Sequence, residues 1–295
     1  MASRDVYGSP RIRRPAEEQL VSRRGLFRLP RSALSERIDY EGATAQGRRG
    51  WELEGHKGLL RQLEPAADNL VELAGVGPGA SVLDVGAADG NVALAAFRRG
   101  AEVAACDLAP RMVARGRERC ERAGAEVAWE CADACALPYP DDGFDAALSS
   151  FGVSLASHPL LAARELARVV RPGGAVIVAA WSPRGLPGRL DELVEPYAPR
   201  PEGVPRASAW GTDAGARRRL GGTLAELELR TRTLTLSFPS ADAAFDALLR
   251  PYALDPAQLA SVRPDFDRAL SSANNRPPAV EIDARYLIAL GRVPS

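Results

Sequence analysis

Residues 82–91 read Val-Leu-Asp-Val-Gly-Ala-Ala-Asp-Gly-Asn, and this segment decides the fold. An apolar run begins at Ser81 and stops at Gly86, a pattern typical of a strand that is buried on both faces. A helical pattern starts after Gly90. Glycine at both ends of the turn permits backbone angles that other residues avoid. The order strand, glycine loop, helix predicts the nucleotide-binding opening of an α/β sheet.

The charges of this loop indicate which nucleotide it binds. A dinucleotide-binding loop has the pattern G-x-G-x-x-G, but Ala88 and Asn91 stand where its second and third glycines belong. Asp84 precedes the turn and Asp89 lies within it, so we expect a pyrophosphate at the helix N-terminus to be repelled. Carboxylates suit a cationic ligand. S-adenosylmethionine carries an ammonium and a sulfonium and no phosphate, so we predict it over a nicotinamide dinucleotide.

Two further acids follow predicted strands. The run Glu102–Asp107 ends in an acid about twenty residues after the first strand, the position that binds ribose hydroxyls in such folds. A third run, residues 125–130, leads to Asp133, which is placed to accept a hydrogen bond from the adenine amine. Acids at successive strand ends argue against the alternative that these are ordinary loop and cap residues.

Five motifs occur in an order that resembles the class I S-adenosylmethionine-dependent methyltransferases, in particular their UbiE-like small-molecule (type 11) branch. The motifs are Val82-Leu-Asp-Val-Gly-Ala-Ala-Asp-Gly90, Cys106-Asp-Leu-Ala-Pro-Arg-Met112, Ala132-Asp-Ala-Cys-Ala-Leu-Pro138, Phe144-Asp-Ala-Ala-Leu-Ser149 and Arg168-Val-Val-Arg-Pro-Gly-Gly-Ala175. The resemblance implies a Rossmann-like, seven-stranded, mostly parallel sheet with helices on both faces. It also implies an N-terminal lid and a cap inserted after the fifth strand.

The resemblance further implies which residues hold the cofactor. They are Tyr40, Trp51, Asp84, Gly86, Ala87, Ala88, Gly90, Asp107, Leu108, Met112, Asp133, Ala134 and Ser149. The glycine loop and Asp84 would hold the methionine moiety, with Ser149 supplying a carbonyl near the amino group. Tyr40 and Trp51 would close this end, while the other members would bind ribose and adenine. Ala88 departs from the usual middle glycine, and its methyl group narrows the room for the ligand.

The implied reaction is transfer of a methyl group to an O, N or C atom of a small, hydrophobic metabolite, which leaves S-adenosylhomocysteine. A phenolic acceptor must lose a proton, so His158 and His56 are the candidates for a general base. The alternative for His158 is a solvent-facing residue at a helix start, with Ser157 as the cap and Pro159 in the first turn. Phe151, Tyr197 and Trp210 are candidates for contact with the acceptor or for plain packing.

Composition bounds the remaining possibilities. The chain has 295 residues, 46% of them hydrophobic, and a formal net charge of zero, so we expect a full core and no nucleic-acid or membrane partner. No apolar stretch is long enough for a membrane span, and residues 1–31 lack the apolar centre of a secretion signal. We predict a cytoplasmic protein that acts on a small molecule.

Four cysteines raise the question of a metal. Cys131 and Cys135 flank Asp133, but no Cys or His pair at metal-like spacing answers them. We predict no metal, and we interpret the cysteines as buried side chains of a reduced protein.

The domain prediction is a flexible tail at residues 1–35 and a methyltransferase domain at 36–295, with cap elements at 36–60, 183–212 and 241–275. The tail could instead act as a lid over the substrate. Two other functions stay open. One is a protein of this fold that binds S-adenosylmethionine without methylating and acts as a binding partner or in another reaction. The other is an NAD(P)-dependent oxidoreductase.

Overall fold

A seven-stranded sheet forms the centre of the part of the chain that the structure, a computed structural model, describes: residues 38–295. The predicted tail at residues 1–35 lies outside these residues. In chain order the strands are β1 (Ser81–Val85), β2 (Glu102–Asp107), β3 (Val127–Cys131), β4 (Phe144–Ser150), β5 (Val170–Trp181), β6 (Ala225–Phe238) and β7 (Val280–Arg292).

Helices surround this sheet. They are α1 (Tyr40–Trp51), α2 (Lys57–Gln62), α3 (Glu64–Ala74), α4 (Asn91–Arg98), α5 (Pro110–Arg122), α6 (Pro159–Arg168), α7 (Leu186–Val194), α8 (Asp213–Leu220), α9 (Ala241–Leu249) and α10 (Pro256–Ala273). Within residues 38–295, no helix has both the length and the apolar character that a membrane span requires.

The strands lie in the order β3-β2-β1-β4-β5-β7-β6. Strands β1 to β5 run parallel, and β7 pairs antiparallel with both β5 and β6. Strand β1 has β2 on one side and β4 on the other. The strand order therefore reverses its direction at β1. Ligands bind beyond the carboxyl ends of strands at such a switch point. The predicted fold class is confirmed, and this topology puts the ends of β1 and β4 side by side.

The sheet buries apolar side chains on both faces, because successive residues of a strand point in opposite directions. On one face, Val82 and Ile177 pack in a cluster with Phe266 of α10. On the other face, Leu83 and Val176 pack in a second cluster that includes Leu166, Leu220 and other residues of α6 and α8.

Alternating apolar and polar residues predict an antiparallel edge strand at 229–238, and a last strand is predicted at 286–290. The structure confirms both as β6 and β7, and β6 is the antiparallel edge. Leu236 and Phe238 are buried, while Thr235 and Ser237, which alternate with them, are exposed. Both strands extend beyond the predicted ranges of 229–238 and 286–290, since polar residues continue the pairing along β6. An edge strand tolerates these residues because one side of it faces solvent.

Candidate active site

The loop between β1 and α4 is held in an unusual backbone conformation. Gly86 has φ +66°, Ala88 has φ +48° and Gly90 has φ +88°. The left-handed conformation is unfavourable for alanine, because its Cβ atom clashes with the backbone, and it is not unfavourable for glycine. This explains why a glycine is usual at the position of Ala88. The N–H of Ala88 donates to Oδ2 of Asp107 over 2.8 Å. This hydrogen bond helps to hold Ala88 in the strained conformation.

The same loop lies directly against the segment after β4. A Cβ atom added to Gly86 would lie 2.8 Å from the Cα of Gly152, and one added to Gly152 would lie 2.3 Å from the carbonyl oxygen of Gly86. Real Cβ contacts are longer, so glycine is required on both sides of this approach. The close packing fixes the distance between the carboxyl ends of β1 and β4.

A cleft opens between the glycine loop and helices α2 and α3. Its lining residues are Leu60, Leu63, Asp84, Gly86, Ala87, Ala88, Asn91, Val92 and Ser150. One of these described residues is acidic and none is basic. The structure therefore brings together four of the residues predicted for the methionine end of the cofactor. It adds an apolar wall, Leu60 and Leu63, that the sequence did not indicate.

The two serines at the end of β4 have different surroundings. Ser150 lines the cleft, and its Oγ is buried with no hydrogen-bond partner among residues 38–295. Ser149 is fully buried, and its Oγ donates to the carbonyl of Val85 over 2.6 Å and accepts from the N–H of Val153 over 2.9 Å. The side chain of Ser149 thus ties two strand ends together, and the predicted contact of its carbonyl with the cofactor stays a prediction.

Asp84 lies beneath the cleft. Its side chain is 1% exposed, and Oδ2 accepts from the N–H of Ala93 over 2.9 Å. Burial raises the pKa of Asp84 to about 8, and the carboxylates of Asp107 and Asp89 add to this rise. A cation that enters the cleft stabilises the carboxylate form.

Asp107 joins the glycine loop to the start of α5. Its Oδ2 accepts from Ala88, and its Oδ1 accepts from the N–H of Ala109 over 2.9 Å. Burial raises the pKa of Asp107, and these two hydrogen bonds oppose the rise. Each carboxylate oxygen accepts more than one hydrogen bond, so this arrangement is compatible with the predicted ribose contact.

Asp89 is paired with a cation of the protein, so the expectation that its charge repels a pyrophosphate is wrong. Its Oδ1 is 2.8 Å from Nη1 of Arg119, and its side chain is 6% exposed. The guanidinium neutralises the charge that we expected to repel a pyrophosphate. Asp84 is therefore the acid of this loop region whose charge can select a ligand in the cleft.

The residues predicted for adenine are not all accessible. Leu108, Asp133 and Ala134 are half-buried near the ends of β2 and β3, and Oδ1 of Asp133 accepts from the N–H of Cys135 over 2.8 Å. Met112 is 0% exposed and packs in the core, so it offers no accessible surface to adenine in this structure. Its adenine contact stays a prediction.

The cysteines follow only part of the expectation. Cys106 and Cys120 are buried, whereas Cys135 is half-buried and Cys131 is exposed. The exposed thiol corrects the interpretation of all four as buried side chains.

Comparison with known proteins agrees with this geometry. Residues 82–174, from β1 into β5, match a family of methyltransferase domains. The uncharacterised protein Rv1405c of Mycobacterium tuberculosis is 35% identical over 227 residues, which cover 76% of this chain and 82% of that protein. The demethylmenaquinone methyltransferase of Thermus thermophilus is 41% identical over 104 residues, 35% of this chain and 47% of that enzyme.

The chain belongs to the class I S-adenosylmethionine-dependent methyltransferases. The fold agrees with a solved structure as well. The YcgJ protein of Bacillus subtilis superposes on the methyltransferase with a TM-score of 0.59 at 19% identity, over 78% of this chain and 99% of that one.

Helix α1 of the methyltransferase lies against the segment after β4. The ring centroids of Tyr40 and His158 are 4.5 Å apart, and the hydroxyls of Thr44 and Ser157 are 2.7 Å apart. Tyr40 and Thr44 are four residues apart and share a helix face. These contacts place Tyr40 at the carboxyl edge of the sheet.

The other end of α1 is held by His56 and by α5. The rings of Trp51 and His56 are 4.7 Å apart, and Nε2 of His56 donates to the carbonyl of Gly50 over 3.0 Å. The N–H of Arg111, in the first turn of α5, donates to Glu52 over 3.4 Å. Helix α1 therefore extends between two segments that border the cofactor region, and its predicted role as a lid stays a prediction.

Neither histidine is arranged as a general base. Nδ1 of His158 accepts from the N–H of Leu161 over 3.3 Å, so His158 rather than the predicted Ser157 caps α6. This hydrogen bond places the proton of the neutral ring on Nε2. His56 is 1% exposed, and its Nδ1 has no partner in the described part of the methyltransferase. Burial lowers the pKa of both rings.

The aromatic residues predicted to contact the acceptor do not form one group. Phe151, with φ +69°, stacks on Trp181 at 3.9 Å between ring centroids, just beyond β4 and at the end of β5. Tyr197 donates to Oδ2 of Asp265 over 2.6 Å and so joins the segment after α7 to α10. Trp210 is 2% exposed in the core cluster on the other face of the sheet.

Proposed function

We propose that this enzyme binds S-adenosylmethionine in the cleft and transfers its methyl group to an O, N or C atom of a small, hydrophobic metabolite. The composition of the cleft carries the cofactor proposal. Its described lining has one acid, Asp84, and no base. Such a surface favours a ligand with an ammonium group and disfavours a phosphate. Asp107 is the last residue of β2, and in related folds an acid at this position binds the ribose hydroxyls.

The chemistry makes modest demands on the protein. Displacement at a sulfonium removes charge from the reacting atoms, so the site must mainly align the acceptor and exclude water. The arrangement of His56 and His158 supports acceptors that need no base, such as amines and activated carbons. Of the three nucleophile classes, we favour N and C over an unactivated phenol for this reason.

The surroundings of the carboxyl edge support a hydrophobic acceptor. Phe151, 6% exposed, stacks on the half-buried Trp181 at the ends of β4 and β5, so this edge of the sheet is apolar. Large hydrophobic side chains are seldom exposed in the described chain, yet Leu155, Leu160 and Leu161 are between 38% and 48% exposed. They flank His158, which contacts α1. Exposed apolar side chains beside the predicted lid favour an apolar acceptor.

Calorimetric titration of the purified enzyme tests the cofactor. We expect S-adenosylmethionine and S-adenosylhomocysteine to bind with micromolar affinity and NAD not to bind. Retention of NAD alone would favour the oxidoreductase alternative instead. Turnover of methyl-labelled cofactor with a panel of hydrophobic amines, enols and phenols then tests the acceptor class.

One alternative has an observation in its favour. Because neither histidine is placed as a base, the chain could bind S-adenosylmethionine without methylating and serve in another reaction. Tight binding of S-adenosylmethionine with no label transfer to any acceptor in the panel would favour this alternative. Label transfer would exclude it.

A further inference from the structure

Arg119 of α5 makes a set of contacts that the cofactor chemistry does not require. Its Nη1 donates to Oδ1 of Asp89 over 2.8 Å, to the carbonyl of Asp89 over 3.3 Å and to Oδ1 of Asn91 over 2.6 Å. Its Nη2 donates to Oε1 of Glu64 over 2.7 Å. The side chain is 21% exposed, and it is not among the residues that line the cleft. One guanidinium thus holds side chains from three segments.

Two of these segments are the glycine loop, which carries Asp89, and the start of α4, which carries Asn91. Asp89 and Asn91 bracket Gly90, at φ +88°, and follow Ala88, at φ +48°. A loop in these conformations keeps its shape only when surrounding contacts enforce it. Asp107 holds the loop at Ala88 from the end of β2. Arg119 holds it from the opposite side, through Asp89.

The third segment is the helical wall of the cleft. Glu64 begins α3, beside Leu63 of the lining. Asn91 extends the same network, since its Nδ2 donates to the carbonyl of Leu60 over 2.7 Å. A displacement of Arg119 would therefore break the link between the loop and Glu64 and remove the donor that orients Asn91 toward Leu60.

We propose that Arg119 is a positioning residue that sets the shape of the cofactor loop through Asp89 and Asn91 and couples it to α2 and α3. The effect on cofactor affinity rests on the proposed function. Without Arg119, the carboxylate of Asp89, 6% exposed, loses its partner ion. A buried carboxylate without a partner moves toward water, and the loop follows it.

Substitution of Arg119 by glutamine tests this role, with Arg122→Gln as the matched control. Arg122 lies one turn further along α5, is 63% exposed and, among residues 38–295, pairs only with Glu118 of the same helix. We expect R119Q to weaken S-adenosylhomocysteine binding by about tenfold or more at a temperature where it remains folded. R122Q should bind as the unmodified enzyme does. Equal affinity in R119Q and R122Q would overturn the proposal.

A double-variant cycle tests the route through Asp89. If the unpaired carboxylate displaces the loop, D89N combined with R119Q should recover most of the affinity that R119Q loses. Losses that simply add would show that Arg119 acts by another route and would overturn that part of the proposal. A purely structural role would lower the melting temperature without a change in affinity below it.

Amide hydrogen exchange of the free protein separates this inference from the proposed function. We expect R119Q, and not R122Q, to increase exchange in a peptide that spans residues 86–94, in the absence of any ligand. If the unmodified enzyme fails to bind either sulfur compound, the proposed function fails while the exchange result still decides the role of Arg119. Unchanged exchange in R119Q overturns the positioning role by itself.

Discussion

At the residue scale, Asp84 links the shape of the cleft to its charge. Its pKa of about 8 in the folded protein lies far above the ordinary value of 3.8. Between these values the folded state holds one proton more than the unfolded state, so stability falls as pH rises. We expect the free energy of unfolding of the free protein to decrease between about pH 4 and pH 8, by at most about 1.4 kcal/mol per pH unit from this residue.

Asp84→Asn should remove this part of the pH dependence, because an amide does not titrate and still accepts from Ala93. Urea unfolding at a series of pH values measures the slope in both proteins. Asp68→Asn is the control, since Asp68 is exposed and its one ion pair within the described part of the chain is with exposed Arg98. Identical slopes in D84N and the unmodified protein would show that Asp84 is ionised when folded.

Asp107 carries the second prediction at this scale. Asp107→Ala removes the predicted ribose contact and also releases the N–H groups of Ala88 and Ala109. We expect S-adenosylmethionine binding to weaken by about 1.5–3 kcal/mol, as calorimetry would measure. Circular dichroism checks that the fold is retained. An unchanged affinity would remove Asp107 from the cofactor site.

Some features of the cleft have local signals in the sequence and others have none. A strand end and a turn predict the loop that carries Asp84 and Gly86, and both residues line the cleft. That Ser150 also lines it has no such signal, because adjacent strand positions differ only in the face that they present. The pairing of Asp89 with Arg119 has no local signal, since 30 residues separate the two.

At the scale of single elements, substitutions of His158 test whether this residue only caps α6 or also acts as a general base. Asparagine is a good N-cap, but it cannot act as a general base. If His158 only caps α6, His158→Asn should keep methyl transfer, and His158→Ala should lose about 1 kcal/mol of stability. Turnover with labelled cofactor and chemical unfolding measure the two effects. A folded H158N protein that binds cofactor without turnover would assign the base to His158.

The ends of helices and strands were predictable where a buried apolar run stops at a turn-forming or capping residue. Strand β2 has the predicted limits, Glu102 and Asp107, because its apolar run follows a glycine turn and ends in an acid. Strand β6 begins earlier than its pattern predicts, because polar residues on the exposed side of an edge strand resemble those of a loop. The cap of α6 was missed because histidine is an uncommon N-cap.

At the scale of the whole molecule, the seven-stranded, mostly parallel sheet was predicted from the resemblance rather than from any single segment. Topology sets which strand ends meet, and that explains why Asp84, Asp107 and Ser150 converge although the sequence separates them. The contact between Thr44 and Ser157 spans 113 residues, so the position of α1 could not be predicted from local pattern. The same limit applied to the acceptor residues, which the structure divides between the two faces of the sheet.

Cofactor binding should stabilise the whole domain, because the cleft joins the loop, β4 and helices α2 and α3. A ligand at 100 times its Kd adds about 2.7 kcal/mol to the free energy of unfolding. For a domain of this size we expect S-adenosylhomocysteine to raise Tm by about 5–10 °C and NAD to leave it unchanged. Differential scanning fluorimetry measures both shifts, and D107A should show a smaller rise with S-adenosylhomocysteine. An equal rise with NAD would contradict the selection of a cationic ligand by Asp84.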